Sequence, residues 1–272
     1  MSLYPMLYGI FGHPVSHSLS PAMHNAAFRH LGIDACYAPF DIVDVRGGVE
    51  AMRTLGIHGV SVTLPYKIEI MKYLDSFDEQ ARGIGAVNTV TNKEGVLSGT
   101  NTDGIGAIKA LGKIGGGMKE KRVVIVGAGG AARAIGYAVK KEGARVIIVN
   151  RTKDRGATLA KELGCEFFLL EDIADTGAQV IVNATTMGMH PNINTSPLPA
   201  ESLKSGMAVM DTVYSPLETH LLKDARAAGC LAICGLDMLV YQGAAQFEIW
   251  TGMPAPFDVM WNAAHARVHK EG

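Results

Sequence analysis

Charge is what this chain of 272 residues has little of. Only 19% of its residues are charged, 25 Lys and Arg against 26 Asp and Glu, for a formal net charge of −1. The basic residues are scattered rather than gathered into a run, so nothing attracts a polyanion and nucleic acid is not an expected partner. Long apolar runs are missing too. No segment approaches the ~20 apolar residues that a membrane crossing needs. The opening MSLYPMLYGIFGHPVSHS lacks the basic start and unbroken apolar stretch of a signal peptide. A cytoplasmic protein with no membrane partner is the expectation. The four cysteines, Cys36, Cys165, Cys230 and Cys234, follow no zinc-ribbon or thioredoxin spacing, and the nine histidines include no HExxH. Reduced, mostly buried thiols and no metal are expected. A homodimer is compatible with the sequence, although neither charge nor apolar runs mark an interface.

What is present is apolar material, 48% of the residues, enough for one large core or two modest ones. Short apolar runs alternate with helical patterns. Leu7–Phe11, Cys36–Ile42, Gly59–Thr63 and Ala86–Thr91 read as strands. Between them, Pro21–Leu31 reads as a helix with Ser20 as N-cap, Val45–Leu55 as one closed by Gly56, and Tyr66–Tyr73 as a third. Asp103 can cap a helix reaching about Lys113. Gly115, Gly116 and Gly117, followed by charged Lys119–Arg122, read as a linker. The pattern resumes with strands at Arg122–Val126, Arg145–Val149, Gln179–Val182, Met207–Met210 and Cys230–Ile233, and ends in helices at Met238–Trp250 and Asp258–His269. Alternation of this kind predicts an α/β fold of parallel βα units in two domains.

The most informative motif is Val123-Val-Ile-Val-Gly127-Ala128-Gly129-Gly130-Ala131-Ala132, a GxGxxA pattern after a strand and at a helix start. Gly127 would make the tight turn, Gly129 would admit a pyrophosphate to the backbone, and Ala132 is small enough for helix–strand packing. The helix N-terminus supplies amide donors to phosphates. A tight turn without ligand is the plainer reading of such a pattern. The next strand ends Val149-Asn150-Arg151-Thr152, with an arginine where an acidic residue would meet a free ribose 2′-hydroxyl. A guanidinium suits a 2′-phosphate, so NADP is expected over NAD. Lys153 and Arg155 add positive charge, although Arg151 could equally cap a surface turn.

The first half carries polar residues where strands run out. Ser16 and Ser18, two apart in a segment read as extended, could give two hydroxyls to one carboxylate beside a helix start. Helix capping is the ordinary alternative. Thr63 and Lys67 follow a strand, at the edge where α/β sheets bind ligands, yet such a lysine is commonly just solvated. Asn88 and Asp103 have ordinary uses as turn and cap residues.

Together these segments resemble the shikimate dehydrogenase family, within the wider shikimate/quinate dehydrogenases. Pro14-Val-Ser16-His-Ser18-Leu-Ser-Pro21 looks like its substrate signature. Val62-Thr63-Leu-Pro65-Tyr-Lys67 is similar to its lysine motif, and Gly85-Ala-Val-Asn88-Thr and Asn101-Thr-Asp103-Gly104 are similar to the next two. The glycine turn, Asn150-Arg151-Thr152, Asn183-Ala-Thr185, Asp211-Thr212-Val-Tyr214-Ser-Pro216 and Gly235-Leu-Asp-Met-Leu-Val-Tyr-Gln242 follow in the family's order. The resemblance implies an N-terminal substrate domain, residues 1–103 with 239–272, and a Rossmann-like, doubly wound NADP-binding domain, residues 104–238. It implies NADPH-dependent, reversible reduction of 3-dehydroshikimate to shikimate, a step of aromatic amino acid biosynthesis. Ser16 and Ser18 would take the carboxylate, and Thr63, Lys67, Asn88, Asp103, Tyr214 and Gln242 the ring hydroxyls. Gly127 to Ala131 would hold the pyrophosphate and Asn150, Arg151, Thr152 and Arg155 the adenosine end. Thr185, Thr212 and Gly235 would line the nicotinamide side, and Glu79 would lie near the cofactor. Lys67 would be the acid/base, with Asp103 its partner. A dual-cofactor quinate/shikimate enzyme, a catalytically silent dinucleotide-binding regulator and a folate-type dehydrogenase are the alternatives.

Overall fold

The structure, a computed structural model, describes residues 4–271. In chain order it forms β1 (Met6–Gly12), α1 (Ser20–His30), β2 (Ala35–Asp41), α2 (Val45–Thr54), β3 (Gly59–Val62), β4 (Ser76–Phe77), α3 (Glu79–Ile84), β5 (Thr89–Lys93), β6 (Val96–Thr100) and α4 (Asp103–Leu111). There follow β7 (Arg122–Val126), α5 (Gly130–Lys141), β8 (Arg145–Asn150), α6 (Lys153–Leu163), β9 (Glu166–Leu169), β10 (Val180–Asn183), β11 (Ala208–Asp211), α7 (His220–Ala227), β12 (Leu231–Ile233), α8 (Gly235–Thr251) and α9 (Phe257–Glu271). They divide into two compact units: residues up to Thr102 together with Gln242–Glu271, and Asp103–Tyr241. The glycine triplet lies inside the second unit, between α4 and β7, and the chain passes from one unit to the other at Thr102 and within α8.

The first unit holds a six-stranded sheet ordered β2-β1-β3-β5-β6-β4. It is mixed, not the purely parallel sheet the alternation predicts: β5 runs antiparallel to both β3 and β6. Lys93 pairs with Val96 across Glu94 and Gly95, whose φ angles of 54° and 89° make a two-residue turn that lays β6 back antiparallel on β5. The reversal of β5 against β3 is made earlier, in the connection of residues 63–88. Asn92 tightens this hairpin by accepting the Gly95 N–H at 2.8 Å. Ala86–Asn88, read as strand, instead lie before β5, and Tyr66–Tyr73 yields only a 3-10 turn at Glu69–Tyr73. One face of the sheet packs Phe11, Val60, Val62 and Val90 under Val45, Val49 and Met52 of α2. On the other, Tyr8 meets Phe28 of α1 and Trp250 of α8 at ring distances of 5.4 and 5.3 Å.

The second unit is a six-stranded sheet ordered β12-β11-β10-β7-β8-β9, parallel throughout. Alternate residues of β7 face opposite cores: Val123 and Ile125 pack with Ile135 of α5 and Leu159 of α6, while Val124 and Val126 pack with Leu221 and Leu222 of α7. This doubly wound arrangement reverses its strand order between β7 and β10, the point where such sheets bind ligands.

Candidate active site

In the first unit, the ends of β1 and β3 are drawn together at Gly12. A Cβ there would stand 2.4 Å from Cγ2 of Thr63 and 3.4 Å from Cγ2 of Val15, so only glycine lets these two loops meet. Ser16 and Ser18 are not in an extended segment. The Ser18 N–H bonds the Val15 carbonyl at 3.0 Å, closing a turn through Ser16, and the period-two argument for their facing the same way fails. Nor is Ser20 the N-cap of α1. That place falls to Leu19, and the Ser20 N–H bonds the Ser18 hydroxyl at 3.2 Å. Having accepted there, Ser18 keeps its own proton to donate. Ser16 is exposed and Ser18 half-buried. Lys67 is half-buried in the turn after β3, its carbonyl accepting from the Val87 N–H at 2.8 Å.

Asn88 is buried beside this edge, with its carbonyl on the Val62 N–H at 2.7 Å. Its side-chain Oδ1 accepts from the Thr102 N–H at 2.8 Å and the Thr89 hydroxyl at 2.7 Å. Its Nδ2 donates to Thr102 Oγ1 at 3.0 Å and to Gln242 Oε1 at 3.3 Å. Gln242, Gln246 and Trp250 recur every fourth residue, so α8 turns all three to the sheet. Gln246 donates to the Asn88 carbonyl and to Thr89 Oγ1, both at 3.0 Å, and Trp250 Nε1 donates to the Val90 carbonyl at 3.1 Å. Thr63, Asn88 and Gln242 are thus brought to one region. Thr89, Thr102, Ser61 and Gln246, which support them, escape a reading of the sequence because each looks like an ordinary strand or helix residue.

One buried group stands apart. His24 of α1 is fully enclosed, stacked on Tyr37 with ring centroids 4.5 Å apart, and neither ring nitrogen has a hydrogen-bond partner among the described residues. Burial pulls its titration down from 6.5 to about 3, with the nearby Gln246 carboxamide acting in the opposite direction.

In the second unit, Gly127 follows β7 with φ 118°. A Cβ would lie 3.1 Å from the Ala184 carbonyl oxygen and 3.0 Å from Thr185 Cγ2. Glycine is required here for both conformation and space. At Gly129, the N-cap of α5, an added Cβ would meet nothing within 4 Å, which leaves room for a ligand to reach the amides of the first turn. Ala128, Gly130 and Ala131 are only half-buried, and Ala132 is fully buried under the sheet. These residues fit a dinucleotide pyrophosphate. At the end of β8, Asn150 donates to the Thr152 carbonyl at 2.8 Å, and Arg151, Thr152 and Arg155 beyond it are exposed, open to a phosphate.

The ends of β10 and β11 share a polar lock. Asp211, fully buried, accepts from Asn183 Nδ2 at 2.8 Å, the Val213 N–H at 3.0 Å and the Thr219 hydroxyl at 2.7 Å. Asn183 Oδ1 in turn accepts from the Thr185 N–H at 3.0 Å and the Thr185 hydroxyl at 2.7 Å. Burial raises the Asp211 carboxyl to about 6 against these hydrogen bonds. Asn183 and Asp211 lie in the sequence motifs without revealing their job, and Thr219 lies outside them. Gly235 opens α8 where a Cβ would be 2.6 Å from the Thr212 and Val213 backbone, so Thr212 and Gly235 are neighbours. Tyr214 is half-buried in the loop after β11. Asp103 is buried as the first residue of α4 and belongs to the second unit, whereas Lys67 belongs to the first. Glu79 lies in the first unit, exposed at the start of α3, whereas the other candidates for the cofactor belong to the second.

Three family models match in succession: the shikimate dehydrogenase substrate binding domain over residues 10–90, shikimate/quinate 5-dehydrogenase over 109–210, and the shikimate 5′-dehydrogenase C-terminal domain over 235–265. A shikimate dehydrogenase (NADP(+)) of Methanocaldococcus jannaschii is 46% identical, covering 96% of this chain and 97% of its own. The chain belongs to the shikimate dehydrogenase family. A crystal structure of a shikimate dehydrogenase in complex with NADP+ superposes with a TM-score of 0.94 at 45% identity, covering 97% of this chain and 96% of that one. The Thermus thermophilus enzyme in complex with NADP(H) and shikimate gives 0.90 at 39% identity, covering 96% and 99%. The family's substrate domain is therefore the mixed α/β unit, and its Rossmann-like NADP-binding domain the doubly wound one. Among the described residues no helix is long and apolar enough to cross a membrane, and no three metal-ligating side chains cluster.

Proposed function

We propose that this chain catalyses the reversible NADPH-dependent reduction of 3-dehydroshikimate to shikimate in the cytoplasm. The observation that carries the reading is similarity over essentially the whole length to a protein named shikimate dehydrogenase (NADP(+)). Bound NADPH supplies the hydride. The substrate domain is residues 1–103 with 239–272, and the cofactor domain 104–238. Ser16 and Ser18 hold the substrate carboxylate; the Ser18 oxygen accepts the Ser20 amide, which leaves its own proton to donate. Thr63, Asn88, Tyr214 and Gln242 hold the ring hydroxyls. Lys67 gives a proton to the reacting oxygen, with Asp103 paired to it; an ammonium is a ready donor for the reductive direction.

On the cofactor side, Gly127 to Ala131 receive the pyrophosphate at the start of α5, and Asn150, Arg151, Thr152 and Arg155 the 2′-phosphate end. Thr185, Thr212 and Gly235 line the nicotinamide, and Glu79 is assigned a place near the cofactor. The test is the absorbance of reduced nicotinamide with shikimate or quinate, each with NADP+ or NAD+. Turnover should be fastest for shikimate with NADP+. Equal rates with quinate and NAD+ would make it a broad quinate/shikimate enzyme, and tight NADP+ binding without any turnover would make it a regulator.

A further inference from the structure

We propose that Gln246 is a positioning residue for the substrate site, fixing the side-chain amide of Asn88 through Thr89 and, through Asn88, the orientation of Gln242. The inference rests on the assignment of Asn88 and Gln242 to the ring hydroxyls made above. Gln246 and its supports Ser61 and Thr89 are buried, and none is among the residues assigned to substrate or cofactor.

The hydrogen bonds around Gln246 run in one direction. The Tyr37 hydroxyl donates to Ser61 Oγ at 2.6 Å, and Ser61 donates onward to Gln246 Oε1 at 2.7 Å. The Gln246 amide spends its two protons on the Asn88 carbonyl and on Thr89 Oγ1. Thr89 then has its single proton for Asn88 Oδ1. Asn88 is left with one choice: its oxygen faces Thr89 and the Thr102 N–H, so its nitrogen faces Gln242 Oε1. Gln242 thereby has its oxygen turned to Asn88 and its NH2 group turned the opposite way.

The chain cannot be reversed. A carbonyl accepts only, so turning Gln246 over would set its oxygen against the Asn88 carbonyl with no proton between them. It would also leave the Ser61 proton without its acceptor. In a water-free interior such mismatches are costly, and for that reason a satisfied network holds one orientation. Anchoring α8 to the sheet does not require it, because Trp250 already bonds the Val90 carbonyl four residues on.

The decisive variant is Thr89→Val, which keeps the shape and removes the hydroxyl between Gln246 and Asn88. Steady-state kinetics should show a KM for shikimate raised roughly 5–30-fold, the effect of one or two misdirected hydrogen bonds. The KM for NADP+ should stay within about two-fold, because the cofactor makes no use of this chain. Thr89→Ser, which restores the hydroxyl, should recover the wild-type KM. Ser61→Ala, which interrupts the chain one step earlier, should shift the shikimate KM in the same direction and keeps the test available if Thr89→Val fails to fold. A folded Thr89→Val or Ser61→Ala enzyme with an unchanged shikimate KM overturns the proposal. So does equal loss for substrate and cofactor, or failure of Thr89→Ser to rescue. Wild-type protein without shikimate turnover would instead remove the functional reading beneath it, whatever the variants do.

Discussion

His24 should make the first unit acid-sensitive by an amount the structure specifies. Its ring titrates at about 3 when folded and near 6.5 when exposed. The unfolded chain therefore takes up a proton that the folded one refuses. Stability from this group is complete above about pH 6.5, falls as the pH drops below it, and stops falling near pH 3. Taking the protein from about pH 7.5 to about pH 5 crosses roughly 1.5 units of that window, which at about 1.4 kcal/mol per unit removes about 2 kcal/mol. Asp211 works in the opposite sense. Its carboxyl lies at about 6 when folded against 3.8, so its contribution is full below about 3.8 and is lost as the pH rises through about 6. Over the same interval it returns roughly 1.4 kcal/mol, but in the second unit. The clean comparison is His24→Phe, which keeps an aromatic ring against Tyr37, Phe28 and Trp250. Both tryptophans, Trp250 and Trp261, lie in the unit that contains His24, so their fluorescence in urea titrations follows that unit. The wild type should lose about 2 kcal/mol more than His24→Phe between the two pH values. Parallel curves for the two proteins would show that His24 is not buried as a neutral ring, and the reasoning would fail.

Other changes have equally definite outcomes. Lys67→Ala should lower turnover by ~10²–10⁴ with the protein still folded, and near-normal turnover would take Lys67 out of the chemistry. Arg151→Ala should raise the KM for NADP+ by roughly ten-fold or more while leaving that for NAD+ nearly unchanged, since only the former carries a 2′-phosphate; equal effects on both would detach Arg151 from cofactor choice. Gly127→Ala should abolish cofactor binding, seen as loss of fluorescence change on adding NADPH, because its φ of 118° and the Ala184 carbonyl 3.1 Å from the new Cβ both oppose it. Asp211→Asn, which keeps the size but cannot ionise, should flatten the pH dependence of the second unit's stability above about pH 4, as calorimetry at several pH values can measure.

By itself, the sequence determined the features written in neighbouring residues. The glycine turn after an apolar strand, the arginine at the end of the next, and the strands β7, β8, β10, β11 and β12 all follow from local steric and periodic rules, and the structure carries them with strand ends shifted by a residue or two, while β9 went unread. The family resemblance was legible for the same reason, since its motifs are short and collinear. Tertiary structure alone decided the rest. The antiparallel pairing of β6 with β5 depends on the Glu94–Gly95 turn, two residues that a strand–helix alternation does not weigh. The turn at Ser16 to Ser18 depends on a backbone bond from Ser18 to Val15, which overrides the extended reading. The chain from Tyr37 through Ser61, Gln246 and Thr89 to Asn88 joins residues up to 185 positions apart. Each is an ordinary side chain in its own element, and only packing α8 against the sheet, away from water, gives its hydrogen bonds a direction.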